Sequence, residues 1–83
     1  MLEKTKSIFD PKYRQFIESL VAARKQANLT QRQLAAKLGV GQCYIARVET
    51  HERRIDLIES ITWMRTLGMS NEEIIEKIKQ LLN

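Results

Sequence analysis

Eighty-three residues make one small domain with a thin core, and 43% hydrophobic against 29% charged residues describe a globular chain, not a disordered one. No apolar run reaches the length of a membrane span, the start "MLEKTKSIFD" lacks a signal-peptide core, and one cysteine cannot close an internal disulfide, so a cytoplasmic protein is expected. The net charge of +4 is unevenly spread: residues 1–54 carry 11 basic and 5 acidic side chains (net +6), residues 55–83 carry 3 and 5 (net −2), which suits a first part that faces a polyanion.

Residues 1–9 read as an arm whose Lys4 and Lys6 either follow phosphates or stay disordered. Residues 10–83 form the domain. Three glycines, one proline and few aromatics favour helices joined by short loops over a sheet. Asp10-Pro11 sets an N-cap residue before a proline at the first helical position. From there Tyr13, Phe16, Ile17, Leu20, Val21 and Ala27 recur at helical spacing as one apolar stripe. Arg24 falls in the same stripe, an odd place for a guanidinium without a partner.

Thr30 and Gln33 form a capping box that opens a second helix, which runs through Leu38 and stops at Gly39. Leu34, Ala35 and Leu38 make its inner face. Gly41 is an acceptable N-cap for a third helix ending near Thr50, and Val40 with Ile45 occupies the positions of a hydrophobic staple. Asp56 with Glu59 opens a fourth helix over Leu57–Leu67, closed by Gly68. Ser70 with Glu73 opens a fifth that continues to the end. The fold class is all-α, five helices in a single domain.

Gly39-Val40-Gly41 is a turn of the length that separates the two helices of a helix-turn-helix. The stretch "LTQRQLAAKLGVGQCYIARVE", residues 29–49, resembles the XRE/Cro/phage-repressor (lambda repressor-like) helix-turn-helix family. The matching positions are Leu29, Thr30, Gln31, Leu34, Ala35, Leu38, Gly39, Val40, Ile45 and Glu49. A looser likeness runs from Tyr13 to Leu67. The resemblance implies double-stranded DNA as the partner, with the third helix in the major groove.

On that helix Ile45 and Val48 turn inward, while Gln42, Cys43, Ala46, Arg47 and Thr50 lie on or beside the outward face. Glutamine suits an adenine edge and arginine a guanine edge. Phage-repressor members also open this helix with Gly-Gln, which implies that Gln42 contacts bases while Gln31 touches a phosphate and steadies Gln42. Arg47 reads either a base or a phosphate. Tyr44 either packs against the second helix only, or packs there with its hydroxyl toward a phosphate. Cys43 is a spectator, a contact to a thymine methyl, or, less simply, a redox sensor. The resemblance further implies an ion pair between Arg24 and Glu49. The departure from the family is "ETHERR": His51 stands where glycine is usual, and a different turn is expected there. Arg53 and Arg54 then contact phosphates or remain solvated loop charges. A pH role for His51 has no support in the sequence beyond its residue type.

Leu57, Ile58, Ile61, Met64 and Leu67 form an apolar stripe with Trp63 at its margin, and Ile74, Ile75, Ile78, Leu81 and Leu82 form another. Trp63, Leu67, Ile74, Ile75, Ile78, Leu81 and Leu82 are the expected dimer interface. The leading expectation is a sequence-specific DNA-binding regulator, acting as a homodimer on an inverted repeat. The competing one is an interaction protein, such as an antitoxin, whose last helix binds a toxin or another protein. No nucleophile is set beside a base and no metal cluster is spaced in the sequence, so neither an enzyme nor a cofactor is expected. Glu72-Glu73 is explained by first-turn charges favoured by the helix dipole.

Overall fold

A computed structural model describes residues 8–82, so the expected arm residues Lys4 and Lys6 lie outside the described part. Five helices follow in order: α1 (Pro11–Gln26), α2 (Gln31–Leu38), α3 (Gln42–Glu49), α4 (Leu57–Thr66) and α5 (Asn71–Leu82). Each start has a local cause. The Asp10 carboxylate accepts the Lys12 N–H, and Thr30 with Gln33, then Asp56 with Glu59, close reciprocal capping boxes. Ser70 and Glu73 exchange the same pair of bonds at α5. These caps satisfy first-turn N–H groups that no helical carbonyl can reach.

The ends are as local as the starts. Gly39 takes φ +73° and terminates α2, a left-handed conformation that glycine adopts without steric cost. Asn28, with φ +59°, does the same work after α1, where the sequence offers no glycine. Leu67 caps α4, one residue short of the expected end.

The core joins all five helices. Phe16, Ile17 and Leu20 of α1 meet Leu34 and Ala35 of α2, Ile45 and Val48 of α3, Trp63 and Met64 of α4, and Ile74 of α5. Leu34, Ile45, Val48 and Met64 are completely buried, and each such side chain contributes about 1.5–3 kcal/mol of burial free energy. Ile55, in the loop before α4, is buried with them, and its N–H donates to the Tyr13 hydroxyl at 3.2 Å. The loop is thereby pinned to α1.

The expected partner surface changes most. Trp63 is only 2% exposed and Ile74 only 5%, so both belong to the core of the single chain. The reason is packing geometry: α4 lies against both α2 and α5, which turns the Trp63 side of the helix inward. Leu67, Ile78 and Leu81 are half-buried against the same core, which leaves Ile75 and Leu82 as the exposed members of the expected set. Within the apolar stripe of α4, Leu57 and Ile58 stand 58% and 69% exposed at its first turn, while Met64 is buried. Ala27 also leaves the stripe of α1, because the helix ends at Gln26 and the residue is exposed. No helix among the described residues is long and apolar enough to cross a membrane.

Candidate nucleic-acid interface

The helix-turn-helix is built from α2 and α3, which pack closely across the Gly39–Gly41 turn. Ile45 and Val48 anchor α3 from behind. At the far end of the same helix Glu49 takes a two-point contact from Arg24, Nε to Oε2 at 2.7 Å and Nη2 to Oε1 at 3.0 Å. Arg24 also donates from Nη1 to the Leu29 carbonyl at 2.7 Å, and it is only 7% exposed. A guanidinium so deeply placed needs acceptors, and here each of its three nitrogens has one. One residue of α1 therefore fixes both the entry to α2 and the end of α3.

Gln31 joins this network. Its amide donates from Nε2 to Glu49 Oε1 at 2.9 Å, and it is half-buried. The resemblance implies a phosphate contact for this side chain; in the free protein one amide hydrogen is held by Glu49 instead. Gln31 and Gln42 nevertheless line one shallow cleft of about 460 Å³, together with Arg24, Thr30 and Arg32. The cleft lies where the N-terminal ends of α2 and α3 converge. Gly41 brings no side-chain cap, so the first-turn N–H groups of α3 have no side-chain acceptor and suit an anionic oxygen.

Along α3, Gln42, Cys43 and Arg47 are exposed, and Ala46 is half-buried between them. Thr50 is exposed as well, but its hydroxyl is turned back on the protein. The single hydrogen lies between the Ala46 carbonyl at 2.9 Å and the Glu52 carboxylate at 2.8 Å. Tyr44 lines a groove with Leu38 of α2 and Trp63 of α4. Its ring tilts against Trp63 with centroids 6.1 Å apart, and its hydroxyl donates to Glu59 Oε2 at 3.0 Å. Burial pushes its phenol above the ordinary range, reinforced by the bond to Glu59 and the charge of that carboxylate, while Arg53 opposes.

His51 adopts φ +66°, the conformation of the glycine it replaces, so the expected different turn does not occur. Its N–H reaches the Val48 carbonyl at 3.1 Å, and the Glu52 N–H reaches Arg47 O at 2.8 Å. The two following arginines diverge. Arg53 lies over the Tyr44 ring at 4.8 Å and 3.9 Å from Glu59, held beside α4. Arg54 is exposed; burial raises the pKa of the Tyr13 phenol, and the bond from the Ile55 N–H and the Arg54 charge oppose that rise.

Arg32 is the side chain that reading the sequence missed. It follows Gln31 in the first turn of α2, and only the crossing of α2 over α3 shows that it borders the cleft. Glu59 was seen only as a cap, because its bond to Tyr44 spans fifteen residues and is purely tertiary.

A family model for the helix-turn-helix matches residues 20–74, spanning α2, α3 and α4. A solved structure described as an XRE-family like protein from Pseudomonas syringae pv. tomato str. DC3000 superposes with a TM-score of 0.79. It is 33% identical, over 95% of this chain and 96% of that one. No curated protein matches the sequence. With two thirds of its length inside the family pattern and a full-length structural counterpart, the chain belongs to the XRE family of helix-turn-helix proteins, a family of DNA-binding regulators.

Proposed function

We propose that this protein is a sequence-specific transcriptional regulator that binds an inverted-repeat operator as a homodimer, with α3 in the major groove. The observation that carries the reading is the division of α3 into two faces. Ile45 and Val48 are fully buried and Glu49 is tied to Arg24, so the exposed Gln42, Cys43 and Arg47 are presented by a helix that cannot roll. Base edges are read by side chains held in a fixed register, which is what this anchoring supplies.

Roles follow from position. Gln42, at the first turn, is placed for an adenine edge, with Gln31 and Arg32 beside it for the phosphate. Arg47 and Cys43 extend the reading face, with Ala46 between them admitting close approach of a base. Arg54, exposed in the loop before α4, is assigned a contact with the backbone of the duplex. Tyr44, Thr50 and Arg53 support the helix and its following loop through the contacts described above. The test is fluorescence anisotropy with a selected duplex over a salt series. Arg32→Ala should weaken specific and random duplexes alike and reduce the salt slope by about one, whereas Gln42→Ala should lose preference among sequences. Equal binding of all duplexes by the unaltered protein would refute the proposal.

A second reading is favoured by Ile75 and Leu82, 57% and 79% exposed on α5. These fit capture of a partner protein, such as a toxin, with DNA binding secondary.

A further inference from the structure

The Glu59 carboxylate serves three groups at once. Its Oε1 accepts the Asp56 N–H at 2.9 Å and so takes part in the capping box of α4. Its Oε2 accepts the Tyr44 hydroxyl at 3.0 Å and lies 3.9 Å from Nη2 of Arg53. The Arg53 guanidinium also rests 4.8 Å from the centre of the Tyr44 ring. The backbone of Arg53 is fixed as well, because its N–H donates to the Arg47 carbonyl at 3.1 Å. Arg53 is thus the cation of a cluster made by α3, the loop after it and α4.

Tyr44 is the third residue of α3, in its first turn. The N-terminal part of a reading helix is the part that meets base edges, and phosphates flank it there. A guanidinium stacked on Tyr44 therefore stands beside the end of α3 that would enter the groove, yet it faces a carboxylate. A phosphate that approached it would meet the charge of Glu59 too, and a neutral pair attracts a polyanion far less than a lone cation does. We infer that Glu59 is a positioning residue that withholds Arg53 from the DNA backbone. The inference rests on the DNA-reading proposal above. Its consequence is a weaker hold on duplex of any sequence, since backbone contacts supply the sequence-independent, salt-sensitive share of the affinity.

The test is fluorescence anisotropy with a random-sequence duplex over a salt series, on the unaltered chain, Glu59→Gln, Arg53→Ala and the double variant. Circular dichroism verifies folding. Glutamine at 59 can keep the cap, as Gln33 does at α2 with its side-chain oxygen on the Thr30 N–H at 2.9 Å. Its amide can also donate to the Tyr44 hydroxyl, so what is lost is the charge that faces Arg53. Glu59→Gln should then gain about one phosphate contact, steepening the slope of log affinity against log salt by about 0.9. With Arg53→Ala already in place, the same substitution should leave the slope nearly unchanged.

An unchanged slope in Glu59→Gln overturns the inference. So does equal steepening with and without Arg53, which would assign the effect to the field of the lost carboxylate alone. If Glu59→Gln loses helix content, nuclear magnetic resonance on the unaltered protein decides. The Arg53 Nε–H signal should stay in place as random duplex is added while that of Arg32 shifts, and an equal shift of both overturns the inference. These outcomes leave the DNA-reading proposal standing, whereas an unaltered protein that binds no duplex at any salt overturns both.

Discussion

Arg24 Nε and Glu49 Oε2 lie 2.7 Å apart, with both side chains almost wholly withdrawn from water. The pair couples α1 to the last residue of α3, and through Gln31 it reaches the first residue of α2. Replacing Arg24 by alanine strands the Glu49 carboxylate in a site that was desolvated for a pair. That should cost about 3–5 kcal/mol in chemical denaturation. Replacing both residues by methionine should cost much less, because no uncompensated charge remains. A single Arg24→Ala variant of unchanged stability would show that the pair does not hold α3.

The Tyr13 hydroxyl is the acceptor for the buried Ile55 N–H. In Tyr13→Phe that N–H loses its partner within the protein, and stability should fall by about 1–3 kcal/mol with the fold intact. Nuclear magnetic resonance exchange of the Ile55 amide gives the local readout: its protection should drop more than that of residues in α2.

Tyr13 and Tyr44 both have phenol pKa values raised by burial above the ordinary value of 10.0. A folded-state pKa above the unfolded one means that the folded protein holds its proton more tightly. The associated stability is then fully present below about pH 10 and is lost as pH rises through the folded values. Thermal melts should accordingly show Tm falling above about pH 10, and Tyr13→Phe should flatten part of that fall. A Tm independent of pH in that range would contradict the environment described for these rings.

Asn28 holds φ +59° after α1, with an exposed side chain. A Cβ-bearing residue without a short polar side chain is strained there, so Asn28→Ala should lose about 1–2 kcal/mol. Asn28→Gly should lose little or nothing, since relief of strain offsets the added freedom of the unfolded chain. Paired melts of the two variants separate backbone strain from loss of a contact: if glycine is as harmful as alanine, the side chain matters and the dihedral does not.

The parts of this fold that are local in sequence were legible there. The capping boxes at Thr30, Asp56 and Ser70, the stop at Gly39 and the inward turn of Ile45 and Val48 all depend on neighbours within four residues. What failed was tertiary. A stripe on α4 can be centred on Leu57, Ile61 and Met64 or on Ser60, Trp63 and Met64, and only packing against two helices selects the second. Trp63, at the margin of the expected stripe, thus lies in the core, and Ile58, within that stripe, stands at the surface. In the candidate site the outward set of α3 followed from periodicity, whereas the commitments of Tyr44 to Glu59 and of Arg53 to the Tyr44 ring required the positions of α4. The left-handed His51 shows the limit of motif logic: a residue other than glycine kept the turn that the motif assigns to glycine.

Selection of binding sites from random duplex DNA decides whether α3 reads base sequence. The unaltered protein should enrich an inverted repeat whose two halves are one helical turn apart, and its affinity should fall steeply with added salt. Gln42→Ala should lose the preference at one symmetric pair of positions while retaining its fold. Recovery of no common sequence, together with affinity that barely responds to salt, would contradict the account.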